Sequence, residues 1–429
     1  MQGCRRLVDL GEWRSESVYG MIHRMPRSDP RSVVSDPDQP AVEILLGPQA
    51  GPFLDAVLEG TGSRLRSYTV SQVRFIPSKS VTVQYRAKLV SSTGRPESVT
   101  FVATSGVTTP DGVPVFAADG LEVAFWQFPN DPFLPGLASA TDPDRVSDLL
   151  GLLGAPQESV KLATRAYRPG RRAVIEASGT THRIFLKIVR PGRTAALQQA
   201  HTSLAQHVPV PHSFGWSDDL GVVALQAMPG RTLRAALTAR SSRVPTAADL
   251  VALLDRFPEP GDTARTVVGP HQRAADHARL LDAVAPELAT RVGAIVDRLG
   301  AVAQEPLVAV HGDFHSSQVL VNRNDIVGLV DVDTAGVGER ANDLANIVGH
   351  LATLGIDSPA RRGISEYGGA LMKDFDRRTD PVDLRLRVSA VILGLATGPF
   401  RVQERQWPKA TERRVALAES WITSADEIQ

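Results

Sequence analysis

Residues 310–322 read VHGDFHSSQVLVN, and residues 326–333 read IVGLVDVD. The first stretch carries an apolar run into His311-Gly312-Asp313. An amide, Gln318, comes five residues after Asp313, and a short apolar strand follows. The second stretch is a strand ending at two carboxylates, Asp331 and Asp333, thirteen and fifteen residues after Gln318. A loop–strand–turn–strand unit can hold one carboxylate at an incoming hydroxyl and another at a metal, with the amide completing the metal's oxygen shell. Magnesium takes hard oxygen ligands and keeps several waters and phosphate oxygens. Phosphoryl transfer asks the protein for positioning, charge neutralisation and an acceptor for the hydroxyl proton. Asp313 suits the last role, and Gln318 and Asp331 suit the metal.

HGDFHSSQ followed by LVDVD resembles the catalytic and metal loops of the aminoglycoside phosphotransferase and choline kinase superfamily. That family's loop pattern is His-Gly-Asp, four residues, then Asn, with a second Asp after the next strand. Here Gln318 stands in place of the Asn and keeps its amide oxygen on a stem one methylene longer. Maltokinase-like members of the superfamily resemble this Gln form. The resemblance implies an α+β, bilobal protein-kinase-like fold, with ATP or GTP and Mg2+ as cofactors. It also implies Asp313 as the catalytic residue and Gln318 and Asp331 as metal ligands.

Upstream segments point the same way. Lys187 lies inside HRIFLKIV, where a lysine among apolar neighbours is expensive to bury without an anionic partner. It is one of only six lysines in the chain. In a kinase-like small lobe this lysine meets the nucleotide phosphates, and the alternative is an outward-facing residue on an edge strand. GVVALQAMPGRTL resembles the hinge between lobes, whose backbone near Gln226 to Met228 would meet the adenine edge. Two features depart from the family. The helix RTAALQQAHTSLAQH has no acidic residue to pair with the lysine, which leaves Gln198 or Gln199 as candidates. No clear Gly-rich loop exists; YRPGRRAVIEASG is the nearest stretch, whose Arg171 or Arg172 either reaches phosphates or, as the leading reading, is solvated.

The other conspicuous residues have quieter readings. His311 is expected to prop the loop by hydrogen bonding, and His315 to be a loop residue. Asp333 helps the metal or stabilises its turn. Asp343, near a helix start, is expected to cap backbone N–H groups.

Four regions follow from pattern and composition: a flexible leader (1–40), a β-rich N-terminal cap domain (41–145), a kinase-like small lobe (155–230) and a helical large lobe with the catalytic loop (231–429). In the cap, EILLGPQAGPFLDAVLEGTG reads as a strand, a turn and a short helix. Strands rich in Val, Thr, Phe and Tyr then alternate with Pro-, Gly- and Asp-containing turns. Phe125, Trp126 and Phe128 are expected in its core. RFIPSKSVTVQY (74–85) and AYRPGRRAVIEA (166–177) share an aromatic, a Pro-small-basic turn and an alternating strand, the mark of a degenerate repeat or of two similar hairpins.

With 429 residues the chain has room for several domains. Lys plus Arg and Asp plus Glu are 47 each, which argues against a general binder of nucleic acid or anionic membranes. A single cysteine, Cys4, excludes an internal disulfide framework and fits a reducing cytoplasm. No apolar run of about 20 residues is present to span a bilayer.

The expected partner is a small-molecule hydroxyl acceptor bound between the His-Gly-Asp loop and the C-terminal helices. GLATGPFRVQERQWPKATERR there carries five basic and two acidic residues. This favours a sugar, amino sugar or sugar-like metabolite over a polycationic aminoglycoside, and Trp407 is read as a stacking platform or a packed core residue. The competing reading is a nucleotide-binding pseudokinase serving as a regulator or scaffold. Asp313 and Asp331 count against it, since a scaffold needs neither.

Overall fold

A computed structural model describes residues 7–9, 34–118, 121–241, 243–259, 261 and 265–428. Parts of the expected leader are built into the fold. Leu7–Asp9 forms β1. In residues 34–40, Asp36 Oδ2 accepts from Ser78 N at 2.7 Å, and Gln39 Nε2 donates to Lys79 O at 3.1 Å. The rest of that leader lies outside the described residues.

Helices α1 (Ala41–Leu46) and α2 (Ala50–Leu58) come next. The run read as a strand belongs to α1: Ala41, Val42 and Leu45 are buried, and Leu45 lies a helical turn from the other two. A short continuous apolar run does not reveal its own period. Strands β2 (Ser63–Ile76), β3 (Ser80–Ser91), β4 (Pro96–Ser105), β5 (Val115–Ala118) and β6 (Leu121–Gln127) follow. They form a sheet in the order β1-β5-β6-β4-β3-β2, antiparallel except for the parallel β1–β5 pair. Strand β3 alternates as half-buried strands do, with Val81, Val83, Tyr85, Ala87 and Leu89 in the core. Phe53 of α2 meets Phe116 and Phe125 edge-on at 5.8 and 6.1 Å, contacts each worth about 0.5–1.5 kcal/mol beyond area burial. Phe125 and Trp126 are buried, and Phe128 packs on Tyr167 at 4.9 Å.

Helices α3 (Leu137–Thr141) and α4 (Val146–Leu152) lead to a second antiparallel sheet. It contains β7 (Lys161–Arg168), β8 (Arg172–Ser178), β9 (Arg183–Val189), β10 (Ser213–Ser217) and β11 (Val222–Gln226), with α5 (Thr194–Leu204) between β9 and β10. The order is β10-β11-β9-β8-β7. The suspected repeat corresponds to the β2–β3 and β7–β8 hairpins. Both close on three-residue turns, with Ile76 opposite Ser80 and Arg168 opposite Arg172, and each runs on into a third antiparallel strand.

The remaining chain is mostly helical. It holds β12 (Arg231–Thr232), α6 (Leu233–Thr238), α7 (Ala247–Asp255), α8 (Ala274–Val284) and α9 (Ala289–Leu299). Strands β13 (Leu307–Val310), β14 (Val319–Asn322), β15 (Asp325–Leu329) and β16 (Gly336–Glu339) come next. Helices α10 (Arg340–Gly355), α11 (Arg361–Phe375), α12 (Pro381–Ala396), α13 (Gly398–Arg401) and α14 (Trp407–Asp426) complete it. Local sequence sets several starts. Thr246 and Asp249 form a reciprocal capping box, and Asp380 caps α12 just before Pro381. Helix α12 is apolar on most faces and runs through the lobe's core, where a helix without a polar face belongs. Its one fully buried cation, Arg387, is held by Glu339 Oε2 (2.6 Å), Asn342 Oδ1 (2.7 Å) and Ala303 O (2.7 Å), while its Nε has no partner among the described residues. Trp407 packs edge-on against Phe400 at 5.2 Å as a core residue, not as an open platform.

Candidate active site

The His311–Gln318 loop is held from behind by α10. Asp343 is fully buried in the first turn of that helix, yet it does not cap its own helix as expected. Its two oxygens accept from His311 N (2.7 Å) and Gly312 N (2.9 Å). Gly312 has φ +80°, and a Cβ there would lie 2.6 Å from Thr334 O, so only glycine fits. His311 is buried and props the loop: Nε2 meets Val330 O at 3.1 Å, while Nδ1 accepts from Asp313 N at 3.3 Å. Thr334 Oγ1 closes the bracket by donating to His311 O at 3.0 Å.

These contacts aim Asp313 into the gap between the lobes, with 43% of its side chain open to solvent. Burial of its surroundings, and then the negative charge of Asp331, push its carboxyl up to about 7. Beside it, His315 stacks on His350 at 4.0 Å with rings 10° from parallel. Burial lowers both imidazoles, His315 to about 4 and His350 to about 3, so both are neutral near pH 7. The ligating atoms of Asp313, His315 and His350 lie within 4.8 Å of one another.

Strand β15 delivers Asp331 in the left-handed region (φ 58°, ψ 42°), which Asp tolerates better than most residues. This turn places Asp331 and Asp333 on either side of the Lys187 ammonium. Lys187 Nζ is 2.7 Å from Asp331 Oδ1 and 2.5 Å from Asp333 Oδ2. Lys187 is thus buried with the anionic partners that its apolar surroundings demand. Burial alone would raise Asp331, but Lys187 and then Arg172 outweigh it and hold its carboxyl well below the usual carboxylate range. Arg172, expected to be solvated, reaches Asp331 Oδ1 at 3.4 Å and Asp333 Oδ2 at 3.9 Å.

Gln318 Nε2 lies 3.4 Å from Asp331 Oδ2 and 3.2 Å from His315 Nε2. The amide therefore turns its NH2 toward Asp331 and serves a metal only when turned over. Asp333 Oδ1 is buried without a hydrogen-bond partner among the described residues. An orphaned carboxylate oxygen beside Asp331 and an amide is an all-oxygen donor set, which fits a hard divalent cation such as magnesium.

Helix α5 packs against the Asp331–Thr334 turn. Gln198 does not orient Lys187, because it bonds to Ser213 and Thr202. The α5 side chain that senses this centre electrostatically is His201, which is buried with its Nε2 unpartnered among the described residues. At the hinge, Gln226 N donates to His212 O and Ala227 N to Arg183 O, so the sheet already engages these two groups. Met228, half-buried, puts its methyl end beside Gly328 of β15.

His350 and Asp131 were not named from sequence, and Arg172 was named there but read as solvated. His350 follows Asp343 by seven residues, two turns along one face of α10, and that spacing was a usable signal. Arg172 is opposite Arg168 across a three-residue turn, which turns both toward the same face; only the hairpin register shows this. Asp131 accepts from Gly170 N (2.7 Å) and Tyr167 Oη (2.9 Å), and Trp126 Nε1 donates to Tyr167 Oη at 3.1 Å. The residues after the N-terminal sheet thus grip the turn carrying Arg172, a long-range contact that no local pattern announces.

Residues 170–379 match the model of a phosphotransferase enzyme family, APH. This segment, just under half of the chain, is similar to that family. No curated protein matches. Among solved structures, the chain is similar to macrolide 2'-phosphotransferase MphH from Brachybacterium faecium (19% identity, 63% of this chain and 98% of that one, TM-score 0.40). It is also similar to a thermostable mutant of aminoglycoside phosphotransferase APH(4)-Ia (15%, 63% and 97%, TM-score 0.44). A third is the GDP complex of aminoglycoside 2'-phosphotransferase-IIIa (15%, 64% and 97%, TM-score 0.43). These likenesses are shallow, and the resemblance to the family rests on the matched segment.

Proposed function

We propose that the protein transfers the γ-phosphoryl group of ATP or GTP to a hydroxyl of a sugar, amino sugar or sugar-like metabolite. The observation that carries this reading is the convergence of Lys187, Asp331, Asp333 and Gln318 beside Asp313 in one cleft. Asp313 accepts the hydroxyl proton as the acceptor oxygen bonds to the γ-phosphorus and the β–γ bridging bond breaks, releasing the nucleoside diphosphate. A carboxyl raised to about 7 is a stronger base than an ordinary aspartate, as general-base work near neutrality wants. Lys187 and Arg172 position and neutralise the phosphates, and the backbone at Gln226 and Met228 lies along the adenine edge. Asp331, Asp333 and a turned Gln318 would hold the magnesium ion, which when bound neutralises phosphate charge. The 41–145 cap stiffens the small lobe through Asp131. Arginines flanking Asp313 repel a polycationic aminoglycoside and disfavour it as acceptor.

One observation favours the second reading, a nucleotide-binding pseudokinase: Lys187 bridges both metal-side carboxylates and leaves the centre electrostatically satisfied without a metal. Two measurements decide. Magnesium-dependent thermal stabilisation by ATP or GTP, with ADP or GDP release across a panel of hydroxyl compounds, supports the enzyme. Nucleotide binding without turnover on any acceptor, and without slow hydrolysis, supports the pseudokinase.

A further inference from the structure

Beside Asp313 lies a cleft built by three separate parts of the chain. Arg74 comes from β2 of the N-terminal sheet, Arg168 and Arg171 from the β7–β8 turn, and Arg401 from the end of α13. Gln72 and Gln84 line it as well, and no carboxylate does. The room inside it is about 20 Å³, enough for one small polar group and too little for a sugar ring.

The four guanidiniums stand close, and Arg168, Arg171 and Arg401 are lowered by burial and by neighbouring arginines more than the nearby carboxylates restore. Among the described residues, none of them takes part in an ion pair. Their mutual repulsion is visible: Arg171 is pushed down to about 10, first by burial and then by Arg74, Arg168, Arg401 and Arg172. Arg401 is lowered by burial and by Arg74. Gln84 Oε1 is buried without a partner, and turning that amide over offers the cleft an N–H donor. Arginine forks match phosphate and carboxylate oxygens in bidentate geometry, and such charge-assisted bonds are the strong ones. Cations drawn from three segments, none of them in an ion pair among the described residues, are stabilised when an anion joins them.

The cleft is not the phosphate position at Lys187, since Lys187, Asp331, Asp333 and Gln318 do not line it. It is next to that position, because Arg168 interacts electrostatically with both Asp331 and Asp313. We propose that this cleft holds a phosphate or carboxylate group carried by the acceptor, so that the substrate is an acidic hydroxyl compound and the N-terminal sheet selects it through Arg74. This rests on the phosphotransferase reading, and it gives the N-terminal sheet a part in specificity.

The test uses the full chain and the variants Arg74→Gln and Arg401→Gln. Arg74 is exposed, so its variant keeps the fold, which the thermal midpoint verifies. Inorganic phosphate is titrated calorimetrically with and without saturating magnesium and a non-hydrolysable ATP analogue. The expected result is phosphate binding that persists when nucleotide is bound and weakens roughly tenfold or more in either variant, with analogue affinity unchanged within about twofold. Phosphate displaced by the analogue, or indifferent to both variants, overturns the site. In a second arm, ADP release is followed with neutral polyols and with their phosphate and carboxylate derivatives. Turnover of the acidic compounds, with KM raised roughly tenfold by Arg74→Gln and kcat nearly unchanged, supports the assignment. Turnover of neutral compounds alone, unaffected by Arg74→Gln, overturns it. Failure of the wild-type chain to bind nucleotide would defeat the phosphotransferase reading instead, and the phosphate titration without nucleotide reads the anion site separately.

Discussion

Replacing Asp343 tests how the catalytic loop is held. Its carboxylate accepts from two buried backbone donors, His311 N at 2.7 Å and Gly312 N at 2.9 Å. A hydrogen bond to a charged group contributes about 1.5–3 kcal/mol net, so the pair is worth roughly 3–6 kcal/mol. Burial offsets part of this, since it raises the Asp343 carboxyl despite His311 and the two N–H groups. Asp343→Ala is therefore expected to cost about 2–4 kcal/mol, chiefly by stranding two N–H groups. Asp343→Asn keeps one acceptor oxygen and should cost about half as much. Urea unfolding followed by circular dichroism measures both, with an unchanged m-value confirming the same transition. Turnover should fall more than nucleotide affinity, because Asp313 follows directly on the loosened peptides while Lys187 is held by another strand. A loss under about 1 kcal/mol for the alanine variant, or equal losses for both variants, would refute this account of the loop.

Three further outcomes can be checked. Asp313→Asn should lower kcat by a factor of about 100 or more with nucleotide affinity retained; in the wild-type chain kcat/KM should rise with pH and level off above about 7, as the raised carboxyl loses its proton. Because a raised folded-state value makes ionised Asp313 a cost above its unfolded value, stability should decline as pH climbs from about 4 toward 7, and less so in Asp313→Asn. Lys187→Met removes the ammonium from between Asp331 and Asp333, so manganese binding without nucleotide should tighten roughly tenfold by calorimetry while turnover collapses. Arg387→Met leaves Glu339 buried without its partner and should cost about 3–5 kcal/mol in urea unfolding.

What the sequence disclosed follows the range of each interaction. Strand β3 and the amphipathic helices were readable because burial imposes periods of 2 and 3.6 on nearby residues. The His311–Asp333 unit was readable because its parts lie within about two dozen residues, at spacings fixed by a hairpin. Helix α1 was misread because AVEILL is too short to show a period. Arg172 and the Asp131 contacts depend on hairpin register and on chain segments that meet only after folding. Asp343 was noticed at the right helix start, but its partners lie 31 and 32 residues upstream rather than in its own first turn.

The grip of Asp131 on Tyr167 and Gly170 bears on how this chain can be cut and recombined. The family segment begins at Gly170, while β7 and Asp131 lie upstream of it. A fragment starting there would lose β7, one of the two strand partners of β8, and the carboxylate that accepts from Gly170 N. Its first sheet would show an unpaired edge next to the reaction centre. The segment from Gly170 onward is therefore not a portable cassette: any chimera must bring a substitute carboxylate for that turn, and loss of the upstream half should be felt first as disorder at Arg172.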